Sequence, residues 1–264
     1  MRHPAVAGQF YPGRGAELEH QLDGMLRPEK ELSALGAVVP HAGYVYSGHV
    51  AAEVYSRLPK AQTYVILGPN HHGMGSPVAL SRDSWRTPLG TIDSDGVLAD
   101  ALAGSIIDYD ETAHLYEHSI EVQLPFLQRR FSGQEFQILP ICMGLQDEET
   151  AVEVGGALAS AAKKVNRNCV FIASSDFTHY EPQETARSVD AKLIEAILNM
   201  DVPELYERVR RHNASACGYG PIAATITASA LQGAKAGRLL AYATSGDVSG
   251  DYNQVVGYGA VVFS

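Results

Sequence analysis

Apolar runs and helical stripes alternate along this chain from its first third to its end. Tyr64-Val65-Ile66-Leu67 places four apolar residues in a row, closed by Gly68-Pro69-Asn70 and then His71-His72. An unbroken apolar run bounded by turn residues predicts a strand buried on both faces. The same pattern recurs in Ala37-Val38-Val39-Pro40 ahead of His41. It recurs again in Cys169-Val170-Phe171-Ile172-Ala173 ahead of Ser174-Ser175-Asp176, with His179 just beyond. Three separate segments thus aim histidine at one rim of a sheet, and ligands in open α/β sheets bind outside the carboxyl ends of the strands.

Between these runs the apolar positions switch to helical spacing. Leu18, Leu22, Met25 and Leu26 predict a first helix that stops at Arg27-Pro28, since proline disfavours helical geometry in the residue before it. His41 to His49 reads as a loop in which Gly43 allows close backbone approach and Ser47 caps a helix burying Val50, Val54, Tyr55 and Leu58. A capped helix over 94–102 would bury Val97, Leu98, Ala101 and Leu102, after a turn at 85–90. A helix from near Ser119 would carry Ile120, Leu124, Leu127 and Phe131 inward. His118 and Glu121 would then lie three apart on neighbouring parts of one face, where a surface ion pair is the plain alternative. Further helices are predicted over 147–165 and 185–200, from Asp201 with Glu204 as in a capping box, and from Pro221 to near Gly233. Strands are predicted over 136–142, 168–174, 239–244 and 255–263. With no internal repeat or composition break, the alternation predicts a single α/β domain over 1–264. Its central sheet would be mostly parallel or mixed, with helices on both faces.

Charge narrows the range of partners. The formal net charge is -10, and Arg129-Arg130 and the arginines of 208–211 are short groups on helix faces. Neither makes the basic patch that nucleic acid or an anionic lipid surface requires. The N-terminus lacks the apolar core of a signal peptide and no run approaches the ~20 apolar residues of a membrane span, so a cytoplasmic protein is expected. Cys142, Cys169 and Cys217 form no Cys-x-x-Cys pair, and a disulfide framework is not expected. Cys142 and Cys169 sit in apolar strands as small buried hydrophobes.

The chemistry gathers at the strand ends. Two histidines and a carboxylate on one face of an iron ion leave positions open for substrate and dioxygen. His41 and His71, each directly after a strand and a turn, are the first candidates for metal ligands. Cys217, Asp176, Glu121 and His72 compete for the third place. Cys217 stands in a loop of small residues beside Gly218, where a sulfur can approach an ion, or where a thiol can simply pack. His179 suits proton transfer, with Asp176 to orient its ring or merely to cap a turn. For each histidine, a hydrogen-bonded structural role stands beside ligation. His118 joins His179 and Asp176 as a catalytic candidate, while Phe10, Tyr44, His72 and Glu121 are candidates for the pocket wall.

Five motifs occur in order: Pro40-His41-Ala42-Gly43-Tyr44, Gly68-Pro69-Asn70-His71-His72, Glu117-His118-Ser119-Ile120-Glu121, Ser174-Ser175-Asp176-Phe177-Thr178-His179 and Cys217-Gly218-x-x-Pro221. Together they resemble the Memo family over nearly the whole chain. The resemblance implies a fold related to the class III extradiol ring-cleaving dioxygenases, which use ferrous iron. It matches His41 and His71 to the two histidine ligands, His179 to the acid/base histidine and Cys217 to the region of the third ligand. A cysteine thereby replaces the carboxylate of the dioxygenases, and a thiolate suits copper or zinc as well as iron. The resemblance also implies an Ammecr-type protein and a radical SAM enzyme as partners. In this sequence Phe10 replaces the tryptophan of the phosphotyrosine-peptide pocket of animal relatives. The expectation is a metal-binding redox protein, an iron(II)-dependent oxidoreductase or dioxygenase. A non-catalytic protein- or peptide-binding module that keeps the cleft, and a zinc hydrolase, are the rivals.

Overall fold

The computed structural model describes residues 1–264, and four parallel strands occupy its centre. Gly36–Val39 lies beside Cys169–Ser174, which lies beside Thr63–Pro69, which lies beside Gln137–Met143. Side chains alternate across a strand, so an apolar run feeds two layers at once. Val65 and Leu67 enter one apolar cluster, Tyr64 and Ile66 the other, and Phe171 and Ile172 divide the same way. Truncating the fully buried Ile66 to alanine would cost ~2–5 kcal/mol.

Other strands widen this row on both sides. Val255–Phe263 adds antiparallel to Gly36–Val39, and Gly237–Thr244 forms the edge beyond it. On the opposite side Val78–Leu80 pairs antiparallel to Gln137–Met143, and Asp108–Tyr109 joins it in parallel. With His179–Glu181 paired to Val255–Phe263, the result is a mixed sheet of nine strands. Glu148–Lys164, Gln183–Leu198, Val202–Arg211 and Tyr219–Leu231 cover one face. Gly15–Met25, Tyr44–Tyr55 and Leu124–Arg130 cover the other. The α/β class with helices on both faces is therefore present, and no helix is long and apolar enough to cross a membrane.

Local departures from the sequence reading have local causes. The second helix begins at Tyr44, whose N–H donates to the Phe10 carbonyl, so Ser47 lies inside the helix and donates back to Ala42 at 3.0 Å. Asp95 rather than Ser94 caps Gly96–Ala101 by accepting from the Leu98 N–H at 3.0 Å, and Val97 faces out at 53% exposure. The stretch after Ser119 makes a 3₁₀ turn, Glu121–Gln123, before the helix Leu124–Arg130. Pro125 lacks an N–H and fits a helix only in its first turn, so the helix is delayed until the proline can occupy that place. The turn expected over 85–90 is a hairpin of Trp85–Thr87 and Gly90–Ile92, with Gly90 at φ 129°. Asp201 caps its helix by accepting the Glu204 N–H at 3.0 Å, while the Glu204 side chain turns to Arg208 instead of closing a capping box, and Asp147 caps Glu148–Lys164 by accepting the Thr150 N–H at 3.0 Å.

Candidate metal centre

Register brings the strand ends level. Val39 is paired with Ser174, and two residues past Val39 the chain presents His41. Thr63–Pro69, on the other side of Cys169–Ser174, presents His71 two residues past its end. Cys217 arrives from the loop ahead of Tyr219–Leu231, where its N–H donates to the Asp176 carbonyl at 3.2 Å. Cys217 Sγ lies 3.2 Å from His41 Nε2, and the rings of His41 and His71 stand edge-on with centroids 5.2 Å apart. Donor atoms of His41, His71 and Cys217 all lie within 4.8 Å of one another. Donors around one tetrahedral ion stand about 3.3–3.8 Å apart, so small rotations would close this set on a single ion.

Hydrogen bonds decide which nitrogen of each ring is free. Ser174 Oγ donates its proton to the Ser119 carbonyl at 2.6 Å and receives Gln123 Nε2 at 2.8 Å, so it can only accept from His41 Nδ1 at 3.0 Å. The amide of Gln123 is itself fixed, because its Oε1 accepts from Tyr55 and its Nε2 also reaches the Pro40 carbonyl. His41 therefore carries its proton on Nδ1 and turns the Nε2 lone pair toward Cys217. His71 follows the same logic with a carboxylate. Glu117 Oε1 lies 2.9 Å from His71 Nδ1, and Oε2 accepts the His71 backbone N–H at 2.6 Å. Burial of Glu117 works to raise its pKa. The hydrogen bond and charge of His71, with the N–H groups of Ser119 and His71, outweigh it and hold the carboxyl well below the usual range. A carboxylate on the rear nitrogen of a histidine is the arrangement that orients metal-binding imidazoles.

A third ring completes the pocket floor. His118 stacks on His71 at 4.6 Å, meets His41 edge-on at 5.4 Å, and is covered by Phe10 at 4.7 Å. Burial, then the neighbouring rings, depress His41 well below its ordinary value, and burial holds His118 at about 4. Both rings are neutral at pH 7, with lone pairs available to an ion. Burial, then Asp176, pushes the Cys217 thiol up; a bound cation reverses that preference. His179 donates Nδ1–H to the Ser215 carbonyl at 2.9 Å, so the tautomer of its neutral ring has the lone pair on Nε2.

The family profile described as Memo-like protein matches residues 2–262. The chain belongs to the Memo family. A MEMO1 family protein of Methanosarcina barkeri (strain Fusaro / DSM 804) is 60% identical over 264 residues, covering 99% of each chain. One from Archaeoglobus fulgidus is 51% identical over 263 residues, covering 100% of this chain and 99% of the relative. A crystal structure of an uncharacterized protein from Escherichia coli K12 shares the fold at a TM-score of 0.57 and 13% sequence identity. It is covered over 98% of its length by 86% of this chain.

Within this Memo chain the remaining candidates fall in different places. Asp176 does not orient the His179 ring, a task that falls to the Ser215 carbonyl. Its Oδ1 accepts the His41 N–H at 2.7 Å and its own N–H points to Cys217 Sγ at 3.3 Å, so it braces the two donors. Glu121 neither pairs with His118 nor lines the pocket. It is fully buried and accepts from Arg2, the N–H groups of Ala5 and Val6, and the Tyr11 hydroxyl. Tyr44 packs against Tyr11 and Phe126 and donates to the Val122 carbonyl. His72 is exposed at the rim, 6.3 Å from the Tyr116 ring. Three contributors escaped the sequence reading: Glu117, Ser174 and Gln123. Glu117 carried a signal, being the acid directly before a motif histidine, but the partner that reveals it lies 46 positions away.

The donor chemistry fits a transition ion. Two neutral imidazole nitrogens and one sulfur suit iron(II), copper or zinc, whereas magnesium and calcium take oxygen.

Proposed function

We propose that this chain is a metal-dependent redox protein in which His41, His71 and Cys217 hold one ion, iron(II) ahead of copper or zinc. One observation carries the reading: two imidazoles with their rear nitrogens tied back converge on a thiol, all within 4.8 Å. When bound, the ion would supply Lewis acidity and, as iron or copper, one-electron chemistry. The chain's own residues do the rest. Ser174 and Glu117 keep the donor lone pairs aimed inward, and a set of three donors leaves room for a substrate atom. His179 offers a free Nε2 to a substrate proton, its ring steadied by Ser215. His118 and Phe10 form a wall that keeps water off one side of the site. Oxygenation of a small organic molecule in the cytoplasm is the reaction class we assign, supported by the likeness to the extradiol dioxygenases. An Ammecr-type protein and a radical SAM enzyme are the partners proposed with it.

Elemental analysis of protein purified without added metal, beside His41→Ala, His71→Ala and Cys217→Ser, tests the reading. One ion per chain in the unmodified protein and loss in each variant is expected. Undiminished binding in all three would remove the proposal. Metal-dependent oxygen consumption would then separate the redox reading from a zinc hydrolase.

A further inference from the structure

Arg2 is a residue that the chemistry above leaves unused, yet it is 5% exposed and every arm of its guanidinium is engaged. Nε donates to the His114 carbonyl at 3.0 Å, Nη2 to the Glu117 carbonyl at 2.7 Å, and Nη1 meets the Glu121 carboxylate. The guanidinium also lies 4.3 Å over the Trp85 ring. All three polar contacts end on 114–121, the segment whose Glu117 holds His71 and whose His118 floors the site. Glu121 in turn gathers the start of the chain by accepting from Ala5, Val6 and Tyr11 at 2.7, 3.1 and 2.6 Å. Between Val6 and Tyr11 the chain carries Phe10, whose ring covers His118 and whose carbonyl receives the Tyr44 N–H, three residues past His41.

A buried ion pair is poor value as stability alone, because well-packed apolar side chains of similar size often do as well. Here the pair links the segment that touches both donor rings, through Glu117 and His118, to a strap whose Phe10 covers His118. We propose that Arg2 and Glu121 are positioning residues for the metal centre: their pair locks the strap 2–11 to the 114–121 turn, and so fixes Glu117 on His71 and Phe10 on His118. The inference rests on the metal-binding reading above and adds the residues that set its geometry. Lysine cannot reproduce the contact, since a point charge lacks the planar fork that reaches two carbonyls and a carboxylate together.

Anaerobic titration with cobalt(II), followed by thiolate charge-transfer and d–d absorption, tests the inference on the full chain. Arg2→Lys, Glu121→Gln and Tyr11→Phe are compared with Asp95→Asn, which alters a buried carboxylate paired with Arg167 at the opposite rim. Loss of an outer contact to a metal ligand lowers affinity 10- to 100-fold, so Arg2→Lys and Glu121→Gln should bind cobalt about tenfold more weakly, with shifted d–d bands. Tyr11→Phe should shift both in the same sense by less, and Asp95→Asn should lower Tm with affinity and bands unchanged. Unchanged bands with affinity within about twofold in Arg2→Lys would overturn the inference, as would an equal loss in Asp95→Asn. Should Arg2→Lys fail to fold, Tyr11→Phe decides, and unaltered binding there overturns it. A cobalt–thiolate band absent from the unmodified chain itself would instead bring down the metal-binding reading, and this inference with it.

Discussion

Both ends of the four central strands are closed by buried polar side chains, and the two closures differ in what they leave over. At the amino end Asp95 accepts from Thr63 Oγ1 at 2.5 Å and from the Leu98 N–H at 3.0 Å, and pairs as an ion with the Arg167 guanidinium, whose Nε lies 3.0 Å away. Its charge and its lone pairs are absorbed by neighbours. The groove beside it is roomy, about 660 Å³ between Gln62, Gln128, Gln137 and Arg167, yet no free donor set converges there. At the carboxyl end Ser174 and Glu117 absorb one nitrogen of each histidine, and the other nitrogen of His41 meets only the Cys217 sulfur, at 3.2 Å. Space alone does not mark chemistry in this molecule; unspent lone pairs do.

The contrast can be broken most sharply at the donors. Cys217→Ser or His41→Ala should weaken binding of a first-row ion by more than about 100-fold, beyond the range for supporting residues. Competitive titration against a chromogenic chelator measures it, and retention of wild-type affinity in either variant would end the claim that the carboxyl rim is special. Next in size is Glu117→Gln, expected to lower affinity about 10- to 100-fold by releasing His71 from its anchor. Isothermal titration reads that change, and a loss smaller than that of Asp95→Asn would show the two rims to be equivalent.

Acid sharpens the same contrast. His114 and His118 are held at about 4 by burial, against an ordinary 6.5. Between those values the unfolded chain takes up protons that the fold refuses, so stability rises with pH from about 4 to 6.5 and is lost on acidification. Asp176, pushed up to about 6 by burial, acts in the opposite sense between 3.8 and 6 and offsets part of the slope. Urea midpoints of the metal-free protein over this range should climb with pH, and less so in His118→Asn. A flat profile would contradict the burial argument. The smallest effect on the site is expected from Thr63→Val at the amino rim, about 1–3 kcal/mol of stability for a buried acceptor left short of a partner, with ion affinity unmoved.

How far these features could be read beforehand follows from how far apart their causes lie in sequence. The strands holding His41 and His71 are legible because an apolar run closed by a turn is a local signal, and parallel strands buried on both faces write it plainly. Helix positions were legible to within a few residues, except where one proline or one backbone contact decided the start, as at Pro125 and Tyr44. Glu117 and Glu121 flank the same histidine and look interchangeable as text. A 3₁₀ turn and a guanidinium from residue 2 give them different work, and neither is visible in a helical period. Ser174 and Gln123 are in the same position: each is an ordinary polar residue until a partner tens of positions away gives it a role.

The span between His41 and Cys217, 176 positions, has a consequence for how the protein is made. At about 5–20 residues per second, a ribosome releases both histidines many seconds before the sulfur emerges. During that interval the nascent chain has the imidazoles without the sulfur, so under the metal-binding proposal an ion met early would find only a weak and exchangeable perch. On the proposed reading, loading would be deferred until Cys217 emerges, when most of the chain has been made.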